Sequence, residues 1–584
     1  MRTNRLALAG CLLAIAVAAP SRAQIMNQSY DQFAPKPVPP LPRESKEKPE
    51  QEIKKTGGSP DDVLLPELKG LVFVGHPDDI EKQGLEFSAP VVFAKKVEVP
   101  EPEKFKATVE PFVGKQLTRG KLNELITVII THYRKYNHPV IDVIVPEQDI
   151  NAGVVQVLLL ESRVNDVKVT GNRWFSSNEI RDDFRVKKGD RIIASDMLAD
   201  ISWANQNPFH TSDVIYQPGP EIGTTDVVLQ TKDRFPVRFY AGYEDSGNAQ
   251  TGLDRYITGF NWGDAWGAGL GHQLNYQYTT SNDFDGLQAH SGSYVIPLPW
   301  HHTLTFFGDY VTTKGEIPPV ISLEGLSYQI SGRYTVPLPS IGDYKHNLSG
   351  GFDYKYNDNS LQFGNVPLSA SPIEVEQFVL SYDSSLRDNW GITSFGVQGY
   401  FSPGNWWGYN SDAAFNDSHT YATSNYDYAN INISRLTRLP WDWSLFLKGT
   451  FQVSDSNLTP SEQMGFGGYD TIRGYDSGVL NTDEGYIFNV ELRTPSVSFG
   501  EALGCPQFQD QLQFLFFWDY GSGFNHTLLP GEPSDTTLSS IGVGLRYTIN
   551  TYLSLRFDYG FQLYQDPQDN NHGNRGDIGL TFSY

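Results

Sequence analysis

From Val237 to Tyr584 the chain repeatedly alternates apolar and polar residues, and this two-residue period restricts the fold more than any other feature. In PVRFYAGYE, Val237, Phe239, Ala241 and Tyr243 alternate with Arg238, Tyr240, Gly242 and Glu244. The period returns at Leu274, Tyr276 and Tyr278; at Tyr486, Phe488, Val490 and Leu492; at Leu512, Phe514, Phe516 and Trp518; and at Ile541, Val543, Leu545 and Tyr547. Successive side chains of a strand point to opposite faces, so each run has one apolar and one polar face. Apolar outside and polar inside is the requirement of a β-barrel in lipid. A soluble sandwich also alternates, but it need not carry the pattern to the final residue or set aromatics at strand ends.

At about 22 residues per strand and connection, roughly 350 residues make about sixteen strands, in a range of about fourteen to eighteen. Short Pro-rich connections support the count: IPLPW at Ile296 to Trp300, VPLP at Val336 to Pro339 and LPW at Leu439 to Trp441. Proline is tolerated at strand ends, and tryptophan suits a membrane interface. The last residues place Ile578, Leu580, Phe582 and Tyr584 on one face. Closure requires this strand to pair with the first, near Val237 to Tyr243, because an open edge in lipid leaves backbone groups unsatisfied.

The segment before the barrel is organised differently. Arg2 and Arg5, an apolar run from Leu6 to Ala19, and small residues ahead of Gln24 form a secretory signal peptide over residues 1–23. Cys11 within LAGC offers a lipoprotein alternative, disfavoured because the cysteine precedes most of the apolar run. With Cys11 removed only Cys505 remains, which excludes an intramolecular disulfide. Residues 24–66 are rich in Pro, Lys and Glu and read as an extended linker.

Residues 67–163 form a small α+β module. Leu71 to Val74 read as a strand, Thr118 as the cap of a helix with Leu122, Leu125, Ile126, Ile129, Tyr133 and Tyr136 at helical spacing, and Val140 to Val145 and Val154 to Leu160 as two further strands. Residues 164–234 repeat the theme: a strand at Val167 to Thr170, helices at Ser177 to Phe184 and Ser195 to Asn205, and strands at Asp213 to Tyr216 and Thr225 to Thr231.

Charge and motif content exclude several functions. A net charge of −23 opposes nucleic-acid binding, which needs clustered Lys and Arg. No GxSxG elbow, phosphate-binding loop or comparable constellation sets a nucleophile beside a base, so no catalytic residue, enzyme activity or cofactor is indicated. His301 and His302 have no partners at ligand spacing, and no metal site is expected.

One stretch does not alternate. Ser454 to Gly485 lies between good strands, reads as structureless, and holds GGYDTIRGYDSG, Gly467 to Gly478. Long connections of this kind are usually functional or disordered. Glycines permit tight folding, and an arginine such as Arg473 can pair bidentately with a carboxylate. Alternation puts Asp519 (in FFWDYG) and Asp558 (in RFDYG) on the polar, lumenal face.

GGYDTIRGY and FFWDYG resemble the loop motif and partner-strand motif of the outer-membrane transporters of two-partner secretion, the TpsB family of haemolysin secretion/activation type. This family lies within the superfamily of POTRA-bearing barrels. VPEQDINAGVVQVLLLESRV and VTGNRWFSSNEI resemble the junction of two POTRA domains, and PVRFYAGYEDSG a first barrel strand.

The resemblance implies two small α+β POTRA domains (67–163 and 164–234) in the periplasm, ahead of an all-β antiparallel transmembrane barrel at 235–584 in the cell outer membrane. It implies that the loop folds back into the barrel, with Ile472, Arg473, Gly474 and Tyr475 as a latch and Asp519, or alternatively Asp558, as its wall partner. The implied partners are a secreted TpsA-like polypeptide received unfolded by the POTRA domains, outer-membrane lipid, and the barrel assembly machinery for insertion. Family members often begin with a plug helix, against which the Pro content of Gln24 to Pro60 weighs. The first module also departs from the pattern by an insertion at about His76 to Glu103. Competing functions are an assembly insertase, which usually carries more POTRA modules, and a passive porin, which would leave the two modules unexplained.

Overall fold

The computed structural model describes residues 30–41, 53, 57–94, 97–247, 251–317, 321–363, 366–370, 372–505, 508–564 and 573–584. The signal peptide and Cys11 lie outside the described residues. Two compact units emerge, one of Leu41–Arg234 and one of the residues up to Pro40 together with Phe235–Tyr584.

The first unit contains two α+β modules. In the N-terminal module the sheet order is Val91–Phe93, Gly70–Val74, Val154–Glu161, Ile141–Ile144. Helix Arg119–Lys135 packs on it because Leu122, Leu125, Ile126, Ile129 and Tyr133 recur on one face, and all five are buried. Each such burial is worth about 1.5–3 kcal/mol. The hydroxyl of Thr118 accepts the backbone N–H of Lys121 at 3.2 Å and caps the first turn. The segment His76 to Glu103, which the sequence presents as an insertion, supplies the edge strand Val91–Phe93, parallel to Gly70–Val74. It also leads into an additional helix, Pro102–Val109.

The second module runs strand Arg163–Thr170, helices Ser177–Asp182 and Ala194–Ala204, then strands His210–Pro218 and Thr224–Asp233. Its sheet order places Thr224–Asp233 centrally, parallel to Arg163–Thr170 and antiparallel to His210–Pro218. Residues 63–65, assigned to the linker by composition, form a short strand, Val63–Leu65, pairing with Leu117–Thr118.

In the second unit, sixteen antiparallel strands close a barrel, from Val237–Glu244 to Asn574–Ser583; the short strand Val366–Ala370 only extends the tip of one hairpin, whose flanking strands pair directly with each other. The seam joins Tyr240–Glu244 to Gly579–Ser583, and Phe239 and Tyr584 exchange backbone hydrogen bonds of 3.0 and 2.9 Å. The first and last strands thereby pair with each other and close the sheet, as lipid demands. Phe239, Ile330, Leu380, Phe516, Ile578 and Phe582 are exposed on the outer wall, while Asn261, Gln277, Ser331, Asp353 and Gln377 are buried inside.

The turns at the end where the barrel begins carry Trp266, Trp300, Trp390 and Trp441, all exposed. The Trp266 and Trp300 indole N–H groups donate to Tyr294 and Tyr334, each at 3.1 Å. Indole and phenol rings with one wet edge fit a membrane–water interface.

Composition misreads the start of the chain. Tyr30–Phe33 forms one helical turn whose Tyr30 and Phe33 are buried against the inner wall, Tyr30 at 4.7 Å from the ring of Phe307 and Phe33 beside Leu287, Ala289 and Val311. The extended residues that follow are held too: the Lys36 N–H donates to Tyr240 Oη at 3.0 Å, its ammonium to Glu244 at 2.5 Å, and Arg238 donates to the Pro37 carbonyl at 3.1 Å. Pro35 stops the helix from continuing, but proline does not prevent burial in a ready-made polar lumen.

Candidate functional site

The sequence places Arg473 in a loop, and the structure puts that loop inside the barrel. The connection between Ser444–Ser454 and Glu484–Arg493 is not structureless: Met464–Phe466 pairs with Leu480–Thr482 as a short ribbon. Met464, Phe466, Ile472 and Tyr475 are buried with wall residues Ile487 and Leu538. Gly485, Gly521 and Gly523 on the facing strands leave the room that Phe466 and Ile472 occupy; a Cβ there would stand at most 2.8 Å from one of those side chains.

Arg473 sits at the tip of the motif. Its Nε donates to Asp519 Oδ2 at 2.8 Å, its second terminal nitrogen to Asp519 Oδ1 at 2.9 Å, and its backbone N–H to Oδ2 at 3.1 Å. This is a bidentate fork, the strongest arrangement open to an arginine. The remaining nitrogen donates to Glu491 at 2.7 Å and reaches Asp558 at 3.5 Å. The guanidinium lies 3.7 Å from the centroid of Phe517.

Register explains the cluster. Asn489 faces Asp519 and Glu491 faces Phe517 across adjacent strands, so all four project into the lumen. Asn489 donates to Asp519 Oδ1 at 2.8 Å and to the Thr471 carbonyl at 2.7 Å, tying wall to loop. Asp558 lies two strands from Asp519, and Gly544 on the strand between allows its carboxylate to lean across; a Cβ there would stand 2.2 Å from Oδ1. Asp558 is committed mainly to Arg546 and Arg556, at 3.0 and 2.7 Å. The two candidate partners therefore divide the work: Asp519 takes the fork and Asp558 only the outer edge.

Neighbouring motif residues are also fixed. Arg556 pairs with Asp470 at 2.6 Å and stacks 3.6 Å from the Tyr469 ring. The Tyr475 hydroxyl donates to the Ser539 carbonyl at 2.9 Å and also contacts the Tyr564 carbonyl. Gly474, at φ 90°, passes against Gly560, where a Cβ would lie 2.7 Å from the Gly474 nitrogen.

A second anchor was not read from the sequence. Glu462, at the loop's base, is buried, and it accepts Lys355 at 2.9 and 3.1 Å, Gln377 at 2.9 Å and Tyr428 at 2.7 Å. In strand order Lys355 stands on the seventh strand and Asp558 on the fifteenth, half a circuit apart. The loop is thus tied to opposite walls. Nothing local marks Glu462, because its partners lie about eighty-five to 107 residues away for the lysine and glutamine. Glu491 and Asn489 were more accessible: the alternation of Tyr486, Phe488, Val490 and Leu492 already assigns them to the polar face.

A profile of the family described as haemolysin secretion/activation protein ShlB/FhaC/HecB matches residues 223–547. The chain belongs to this family. A profile of the ShlB-type POTRA domain matches residues 91–162. The heme/hemopexin transporter protein HuxB of Haemophilus influenzae is 21% identical over 76% of this chain and 79% of that protein. The outer membrane transporter CdiB of Escherichia coli is 21% identical over 65% of this chain and 64% of that protein.

Among solved structures, CdiB from Escherichia coli superposes with a TM-score of 0.70 at 16% identity, covering 92% of this chain and 94% of that one. CdiB from Acinetobacter baumannii gives 0.62 at 16% identity, covering 98% and 99%. This member of the ShlB/FhaC/HecB family is accordingly an outer-membrane transporter of two-partner secretion, with POTRA domains ahead of its barrel. In this ShlB-type transporter the described residues contain no cluster of metal-ligating side chains. His302, one of the two adjacent histidines, bonds Tyr334 at 2.6 Å in the interfacial belt.

Proposed function

We propose that loop 455–483 is the transporter's latch, held closed by Arg473 on Asp519 while no cargo is engaged. The observation that carries this is the fork itself, buried among inward-facing residues of the barrel wall. A loop needed only to join two strands would be short; this one occupies lumen that a translocating chain would need. Removing one partner of a buried ion pair costs about 3–5 kcal/mol, so the resting position is well defined.

An unfolded, secreted TpsA-like polypeptide is the cargo we infer, received by the periplasmic POTRA domains. An exposed strand edge captures extended backbone with little sequence demand, which suits an unfolded client. The sequence carries no phosphate-binding loop motif, and folding of the cargo outside the cell is the driving force proposed. Insertion of the barrel itself is assigned to the general assembly machinery of the outer membrane.

The experiment is partner export in cells carrying Arg473→Ala or Asp519→Ala, with barrel folding followed by heat-modifiable gel mobility. Loss of export with a folded barrel is expected. Normal export by both variants would remove the latch from the mechanism. Depletion of the transporter distinguishes export from insertion: it should stop one secreted protein and leave the other outer-membrane barrels at normal abundance.

A further inference from the structure

Most turns at the end where the barrel begins are short; the longest, between Arg493 and Asp510, contains the helical turn Phe499–Ala502. It also lacks the tryptophan found in four of its counterparts. In place of the indole it exposes Val497, Phe499, Leu503 and Phe508, at 52, 50, 80 and 43%.

The direction in which this turn folds is fixed by three contacts. Val497 and Leu512 exchange backbone hydrogen bonds of 2.9 and 2.8 Å, so their side chains share a face, and Leu512 belongs to the outward set with Phe514, Phe516 and Trp518. Asp510, in the same outward register, accepts the Ser498 hydroxyl at 2.7 Å and the backbone N–H groups of Phe499 and Gly500 at 3.0 and 2.9 Å. The Phe499 ring packs 6.1 Å from Tyr547, outward-facing with Ile541 and Val543. The turn is therefore folded back onto the outer wall rather than across the lumen.

We propose that this turn is an in-plane anchor seated in the periplasmic leaflet, its apolar side chains among phospholipid acyl chains near the headgroup level. The inference rests on the outer-membrane reading of the barrel, whose lipid-facing belt it continues. Between Thr494 and Gln509 the chain has no Lys or Arg and one acidic residue, Glu501. Charge attraction to anionic headgroups is thus excluded as the source of affinity, and burial of apolar area into zwitterionic lipid remains. Fixing this turn also fixes the start of strand Asp510–Phe524, which carries Asp519.

The native Cys505, exposed in the same turn, provides the probe site. The full-length Cys11→Ser protein is labelled at Cys505 with an environment-sensitive nitrobenzoxadiazole fluorophore and reconstituted in phosphatidylethanolamine/phosphatidylcholine vesicles, with or without brominated acyl chains. A blue-shifted emission and quenching by shallow bromines, unchanged by salt, are expected, and Leu503→Glu with Phe499→Glu should diminish both. Water-like emission quenched by iodide and not by bromolipid would overturn the proposal and mark the patch as a surface for a polypeptide in the periplasm. Strong salt dependence would overturn it as well. Phe516→Cys in a Cys505→Ser background, labelled in mid-wall, separates the two readings: bromine quenching there with none at Cys505 sinks the anchor alone, whereas none at either site sinks the barrel orientation.

Discussion

Arg473 and Asp519 are joined by three hydrogen bonds, two from the guanidinium and one from the Arg473 backbone N–H, so the carboxylate grips the loop's main chain as well as its side chain. Arg473→Lys should therefore behave nearly as badly as Arg473→Ala, because an ammonium cannot form the fork. Asp519→Asn keeps the shape but loses the charge, and an intermediate loss of export is expected. Secretion of the partner, normalised to folded barrel, measures the series; a lysine variant with full export would refute the bidentate requirement.

Glu462 and Lys355 are both buried, which makes their separation costly. Lys355→Met alone should destabilise the loop by about 3–5 kcal/mol, because the buried Glu462 carboxylate keeps its hydrogen bonds from Gln377 and Tyr428 but loses the cation that pairs with it. The double variant Lys355→Met with Glu462→Leu should recover much of that stability, since no charge remains to be solvated. Protease sensitivity of loop 455–483 in the reconstituted barrel reports the outcome. Equal sensitivity of the single and double variants would exclude the ion pair as an anchor.

The close pass of Gly474 over Gly560 predicts a steric phenotype. Gly560→Ala introduces a Cβ 2.7 Å from the Gly474 nitrogen and 2.8 Å from its Cα, both backbone atoms that cannot swing aside. A penalty of about 1–3 kcal/mol is expected, felt by the loop rather than by the strand pairing. Single-channel recording should show more frequent open events with an unchanged heat-modifiable barrel. An unaltered record would place the loop elsewhere in the resting state.

In the unit Leu41–Arg234, His210 is buried against Phe175, with ring centroids 4.8 Å apart, and burial pushes its pKa down to about 4 from an ordinary 6.5. The folded state thus favours neutral imidazole. Its contribution is fully present above about pH 6.5 and is lost as pH falls toward 4, by about 3 kcal/mol at most. Denaturant unfolding of residues 41–234 between pH 7 and pH 4 should show this loss, and His210→Gln should flatten it. A wild-type slope that survives the substitution would assign the effect to other groups.

Much of the molecule was legible because its instructions are local. The two-residue period at Val237 to Tyr243 and at Leu512 to Trp518 decides which face meets lipid, since backbone hydrogen bonding in a membrane leaves only closed sheets or helices. The same period put Asp519 and Asp558 on the inner face, and the RGY motif singled out Arg473. The Pro-rich start was misread for a related reason: composition reports what a segment can do alone, and Tyr30 to Pro37 are held by side chains of strands more than two hundred residues away.

What the sequence determined by itself is the barrel, the strand faces and the modules, each a consequence of spacing along the chain, while the motif residues came from their resemblance to the family's loop and strand motifs. What only the tertiary structure decided is which of the inward carboxylates receives Arg473, that Glu462 finds Lys355 on the opposite wall, and that the turn before Asp510 folds outward. Those outcomes depend on strand register and on closure of the sheet into a ring. Closure brings residues together around a circumference, a distance that no local periodicity encodes.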